Sequence, residues 1–125
     1  PLHPRTRNKL KSLDYNFSAT PLKFIEPVGY LEMVWLLQNC ELVMTDSGGL
    51  QKEAYFFKKP CLTLREETEW VELVENGYNI ICGSDKINII SSFNKLQNQK
   101  RTNFVKGLYG NGNAGDLIAK SLELH

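Results

Sequence analysis

Glu41-Leu-Val-Met-Thr-Asp-Ser-Gly-Gly-Leu-Gln-Lys-Glu-Ala54 reads as a short apolar run, a Ser-Gly-Gly turn, and a helix carrying a carboxylate at Glu53. Leu42, Val43 and Met44 bear no charge and end in a polar cluster, which predicts a strand buried on both faces of a parallel sheet. Asp46 and Ser47 are N-cap residues. Gly48 and Gly49 have no Cβ, so the backbone bends sharply there and a ligand approaches the main chain closely. The first free N–H groups of the helix then point out of the carboxyl end of a strand, where open α/β sheets bind anions. A phosphate or diphosphate suits that place. Glu53 lies about one and a half helical turns beyond Ser47, at ~1.5 Å per residue, in reach of hydroxyls on a sugar attached to the phosphate.

Taken alone, Ser-Gly-Gly is more simply a tight strand-to-helix connection, common in α/β domains, and Glu53 a solvated helix residue. The N-cap pair and the Lys59-Pro60 strand start after very short connections favour the anion-binding reading. Working upstream, residues 30–39 place apolar side chains at 30, 31, 33, 34, 36 and 37, an amphipathic helix with a broad buried stripe. Met33 and Trp35 read there as core, and Trp35 in particular. Residues 21–26 predict a strand bounded by prolines. Residues 2–6 read as the loop leaving an earlier strand, with His3 at the top of the sheet, and residues 7–13 as a short basic helix.

Downstream, residues 61–64 predict a strand opened by Pro60, where a missing N–H does little harm. Residues 65–70 form a polar loop at its carboxyl end, and a short helix runs through Val71, Leu73 and Val74 to an Asn76-Gly77 stop. A last strand covers 78–82, and Ser84-Asp85 caps a helix to about Leu96. Residues 98–103 read as the loosest stretch, residues 108–113 as a Gly-rich turn, and residues 114–124 as a closing helix. Strand and helix alternate with short links, which argues an α/β, Rossmann-like, doubly wound parallel sheet. Its ligand edge would be formed by His3, residues 47–49 and residues 65–69.

The 125 residues fit one domain able to bury a core. With 15 basic against 14 acidic residues the net charge is +1, so no nucleic-acid or membrane footprint is expected. Arg5, Arg7, Lys9 and Lys11, like the Lys100-Arg101 pair, read as solvated helix faces. Cys40, Cys61 and Cys82 make no C-x-x-C pair and leave an odd one over, which fits thiols buried as small apolar groups in a reducing cytoplasm. No apolar run nears the ~20 residues of a membrane span. The opening residues look like the exit of a strand, so the chain is expected to be a piece of a longer protein.

Several residues in order resemble the carboxyl-terminal half of the UDP-N-acetylglucosamine 2-epimerases. They are Leu2-His3-Pro4, Thr45-Asp-Ser-Gly-Gly49 with Gln51 and Glu53, Lys59-Pro60, Arg65 with Thr68-Glu69, Asn79 with Gly83, and Tyr109-Gly110. The resemblance implies one half of a two-domain enzyme of GT-B architecture, with the active site between two Rossmann-like halves and this chain holding UDP. Ser47, Gly48 and Gly49 would hold the diphosphate, Glu53 the ribose hydroxyls, and His3 the phosphate nearest the sugar. Met33 would pack against uracil, where the family often has an aromatic ring, and Arg65 and Glu69 would face the cleft. Trp70 and Val71 depart from an Arg-Pro common in the family; Thr68-Glu-Trp-Val71 is similar to the branch that epimerises UDP-2,3-diacetamido-glucuronic acid.

The family's reaction removes the C2 proton of the sugar, eliminates UDP and returns it after inversion at C2, supplying surface polysaccharide precursors. Donors at the helix N-terminus and a cationic histidine would hold the leaving diphosphate, and the acid and base would lie in the amino-terminal domain, outside this chain. That implies no metal and no cofactor, a UDP-sugar substrate, a homodimer for the full-length protein, and an inactive fragment. Rival readings are the donor half of a GT-B glycosyltransferase, a hydrolysing epimerase, and, from another class, a non-enzymatic receiver-like signalling module. The last lacks its acidic cluster: Asp46 stands beside Ser-Gly-Gly with no partner pair.

Overall fold

A computed structural model describes residues 1–98 and 103–123. Most of the stretch expected to be loosest, residues 99–102, lies outside them. The chain divides into two compact units, Pro1–Cys40 and Glu41–His125.

In the first unit, α1 spans Pro4–Ser12, a single 3-10 turn spans Phe17–Ala19, and α2 spans Tyr30–Asn39. Helix α1 starts three residues before the expected position. His3 is its N-cap and Pro4 its first residue, where a missing N–H costs nothing and the fixed φ suits a helix. The strand expected over residues 21–26 does not form. Proline at 21 and 27 removes two donors, and one backbone bond, Leu2 N–H to Ile25 O at 3.0 Å, is too little for a ladder. Tyr15, Phe17 and Phe24 pack edge-to-face instead, with centroids 5.1–6.2 Å apart. Helix α2 has the expected bounds but not the expected burial. Leu37 is its buried residue, whereas Tyr30, Leu31 and Trp35 are exposed, Trp35 by 61%. Trp35 is therefore a surface side chain, because the helix meets its own unit along a narrower line than its apolar pattern spans.

The second unit is built on three strands, β1 (Val43–Thr45), β2 (Cys61–Thr63) and β3 (Asn79–Ile81). They pair in parallel in the order β1-β2-β3, with Val43 opposite Cys61 and Cys61 opposite Asn79. Helices α3 (Gly48–Phe56) and α4 (Val71–Glu75) make the two crossovers that parallel pairing needs; α5 (Lys86–Asn98) and α6 (Ala114–Glu123) follow. Strand β2 is wholly buried, as a central parallel strand should be. Strand β1 corrects the sequence reading: Val43 and Thr45 are buried, but Met44 is 45% exposed, so one face of this edge strand is open.

Tyr55, Leu73 and Tyr78 form a buried cluster with Trp70, Phe104, Leu108 and Tyr109 against it. Tyr78 stacks on Phe104 at 4.6 Å, and its hydroxyl accepts from Val105 N–H at 2.8 Å, which ties the segment before the Gly-rich turn to the core. Gly77, at φ +72, supplies the expected left-handed stop after α4. Asp85 Oδ1 accepts from Ile87 and Asn88 N–H at 2.9 and 3.0 Å and caps α5 as expected. Among the described residues no helix is long and apolar enough to cross a membrane.

Candidate functional site

Strand β1 delivers Thr45 to the start of the turn, where its hydroxyl accepts from Ser47 N–H at 3.0 Å. Ser47, not Asp46, is the N-cap of α3: its Oγ accepts from Leu50 N–H at 3.5 Å, and its carbonyl takes Gln51 N–H. The N–H groups of Gly48 and Gly49 are left without a partner among the described residues. These are the orphan donors of a helix start, placed beyond the carboxyl end of a parallel strand. Glu53 is half-buried and lies one turn beyond Gly49 on the helix side away from the buried Gln51, Ala54 and Tyr55. Its carboxylate makes no hydrogen bond or ion pair among the described residues.

The loop after β2 folds over this turn. Arg65 donates to Glu69 Oε2 at 3.1 Å, and the other carboxylate oxygen presses against Gly48. A Cβ at Gly48 would overlap that oxygen and stand 2.9 Å from the Glu69 Cδ, so this close approach requires glycine. Gly49 is different: the nearest atom to a Cβ there is Ser47 Oγ at 4.0 Å. Glu69 thus meets the Ser-Gly-Gly turn at Gly48, and Arg65 is joined to the turn through Glu69.

Sequence reasoning missed the frame beneath. Gln51 is fully buried, and its Oε1 accepts from the Thr68 hydroxyl at 2.6 Å and from Asn79 Nδ2 at 3.2 Å. Thr68 Oγ1 in turn accepts from Trp70 N–H at 3.1 Å, and the Trp70 indole donates to Gly48 O at 2.8 Å. Lys52 Nζ lies 4.5 Å from the Trp70 ring centroid and 4.4 Å from that of Tyr109. Burial, then the neighbouring Glu72 and Tyr55, push the Tyr109 phenol above its usual pKa. Its ring therefore faces the ammonium as a neutral π surface. Gln51 and Asn79 are polar residues at positions that pattern assigns to core, the signal that could have found this network.

His3 and Met33 belong to the first unit. His3 is exposed and its Nδ1 accepts from Arg5 N–H at 3.2 Å, the bond by which it caps α1. Met33 is half-buried on α2.

The thiols divide by burial. Cys61, opposite Val43 and Asn79 in the sheet, is pushed from 9.0 up to about 12, first by burial and less by Cys82. Cys82 is also raised, by burial and then by the Glu66 carboxylate. Alkylation at pH 8 is expected to label Cys40, which is partly exposed, well before the other two, with peptide mass spectrometry as the check. The raised Cys61 value also means that the unfolded chain ionises first above pH 9. Stability is fully present below 9 and falls as pH rises toward 12, by up to about 1.4 kcal/mol per unit.

The chain is 48% identical to the UDP-2,3-diacetamido-2,3-dideoxy-D-glucuronate 2-epimerase of Pseudomonas aeruginosa over 98% of its own length and 33% of that protein's. It is 45% identical to the UDP-N-acetylglucosamine 2-epimerase of Methanocaldococcus jannaschii, over 97% and 33%. A crystal structure of the latter organism's enzyme in complex with UDP-GlcNAc and UDP superposes with a TM-score of 0.82 at 44% identity, covering 98% of this chain and 34% of that one. The Neisseria meningitidis enzyme bound to UDP-GlcNAc gives 0.75 at 35% identity, covering 99% and 34%. The chain spans about a third of the length of the curated relatives it matches. The sequence profile of one family covers residues 1–123, and by that match the chain belongs to the UDP-N-acetylglucosamine 2-epimerase family.

Proposed function

We propose that this chain is the UDP-holding, carboxyl-terminal domain of a GT-B enzyme that epimerises a UDP-2-acetamido sugar at C2. The observation that carries the proposal is the pair of unpartnered N–H groups at Gly48 and Gly49, beyond the end of β1, in a chain whose relatives include enzymes crystallised with UDP and UDP-GlcNAc. The diphosphate sits on these donors and the Ser47 hydroxyl, and the Glu53 carboxylate accepts from the ribose hydroxyls.

A base of the amino-terminal domain takes the C2 proton, the C2–H electron pair becomes the C1=C2 double bond, and the bond from C1 to the diphosphate oxygen breaks, that oxygen leaving with its electron pair. Negative charge on UDP grows as the bond lengthens. Donors already fixed in place strengthen their hold over that course, each by roughly 3 kcal/mol. Arg65, turned by Glu69, adds a guanidinium beside the same turn. The proton-transfer groups belong to the amino-terminal domain, so the chain by itself binds UDP weakly and does not turn over.

The test is an amide NMR titration of the labelled chain with UDP and with uridine. Shifts at residues 47–49 are expected with UDP and not with uridine, and Glu53 shifts with both. Glu53→Ala should weaken both ligands about tenfold, the worth of one charge-assisted hydrogen bond. Equal affinity of Glu53→Ala and the parent for uridine would remove Glu53 from the ribose site.

A further inference from the structure

The peptide between Gly48 and Gly49 carries one of the two donors assigned to the diphosphate, and a side chain from another segment holds its carbonyl. The Trp70 indole donates to Gly48 O at 2.8 Å. A peptide unit is planar and trans, so its C=O and N–H point in opposite directions. The unit that owns Gly48 O also owns Gly49 N–H, and fixing the carbonyl aims the donor. Two successive glycines in the first turn of a helix have the widest conformational freedom of any pair, so an outside hold matters more here than elsewhere on α3.

The indole is itself held from several sides. Its backbone N–H donates to Thr68 Oγ1, which is anchored through Gln51 to Asn79 on β3. Its ring packs edge-to-face on Tyr109 at 5.7 Å, with Lys52 Nζ over both. Lys52 lies one turn beyond Gly48 on the same side of α3, so helix, loop and closing segment converge on this one side chain.

We propose that Trp70 is a positioning residue for the diphosphate, keeping Gly49 N–H aimed at the anion without touching it. The proposal rests on the diphosphate reading of Ser47, Gly48 and Gly49. An arginine at this position also carries N–H donors able to reach Gly48 O, so the role needs a donor and not an indole as such.

The chain has two tryptophans, so its indole N–H signals can be assigned with Trp35→Phe. In a UDP titration the Trp70 indole signal is expected to move, and with uridine it stays. Trp70→Phe keeps a ring but loses the donor; it should weaken UDP about tenfold and uridine less than about twofold, while Trp70→Arg recovers UDP binding to within about threefold of the parent. If UDP shifts the amides of residues 47–49 but leaves the indole signal still, the inference is overturned and the diphosphate reading stands. The same holds if Trp70→Phe weakens UDP and uridine alike, the mark of a structural role. If Trp70→Phe fails to fold, the indole titration of the parent chain decides alone. No amide response to millimolar UDP, in this chain and in the full-length protein, overturns the diphosphate reading and this inference with it.

Discussion

Gly48→Val is expected to weaken UDP binding by roughly a hundredfold while costing the fold less than about 1 kcal/mol. The asymmetry follows from what a side chain would meet. Gly48 does not sit at positive φ, so the backbone accepts valine, and the atoms in the way are the far end of Glu69, a flexible side chain. Glu69 swings out and the helix survives. With it goes the 3.1 Å bond that orients Arg65, and a branched side chain now stands over the two orphan donors. Isothermal titration with UDP and a urea melt of the same sample separate the two effects. Gly49→Ala is the informative companion: its Cβ meets nothing of the protein closer than 4.0 Å, so any loss of UDP affinity reports the ligand's own approach to the backbone. A valine variant that binds UDP like the parent would remove the Ser-Gly-Gly turn from the site.

Gln51→Leu should destabilise the chain by about 2 kcal/mol although it places a more apolar residue in a fully buried position. The amide oxygen serves two donors, Thr68 Oγ1 and Asn79 Nδ2. Removing it leaves the Asn79 amide, 2% exposed, without an acceptor, at about 1–3 kcal/mol, while half-buried Thr68 recovers water. Part of this is offset, because Gln51 Nε2 has no partner among the described residues and its loss costs nothing. The expected reading is a lower urea midpoint at unchanged slope. An unchanged midpoint would mean that the network carries no net stability.

The elements legible from the sequence were those whose signal is local. The apolar run at 42–44, the Ser47 cap and the Asn76-Gly77 stop each need only their neighbours in the chain to act, and each appears within a residue of its expected place. The readings that failed depended on what lies opposite. Residues 21–26 have strand composition but make one backbone bond, and Trp35 lies on an apolar helix face that is largely uncovered. The site shows the same divide. Gly48 was marked by its missing Cβ, but its role in admitting Glu69 and presenting a carbonyl to Trp70 joins segments about twenty residues apart, and no local pattern encodes that.

The spacing of the sheet has a consequence for how it assembles. Cys61 pairs eighteen residues after Val43, and Asn79 eighteen after Cys61. Loop-closure entropy grows only with the logarithm of length, about 0.6 kcal/mol per doubling, so two equal steps leave it neutral between the pairings. What breaks the tie is burial. Strand β2 is common to both ladders and closed on every side, and Leu62 at its centre is fully buried. The folding transition state then centres on β2 and whichever crossover helix docks first, with each outer strand added in a step of the same length.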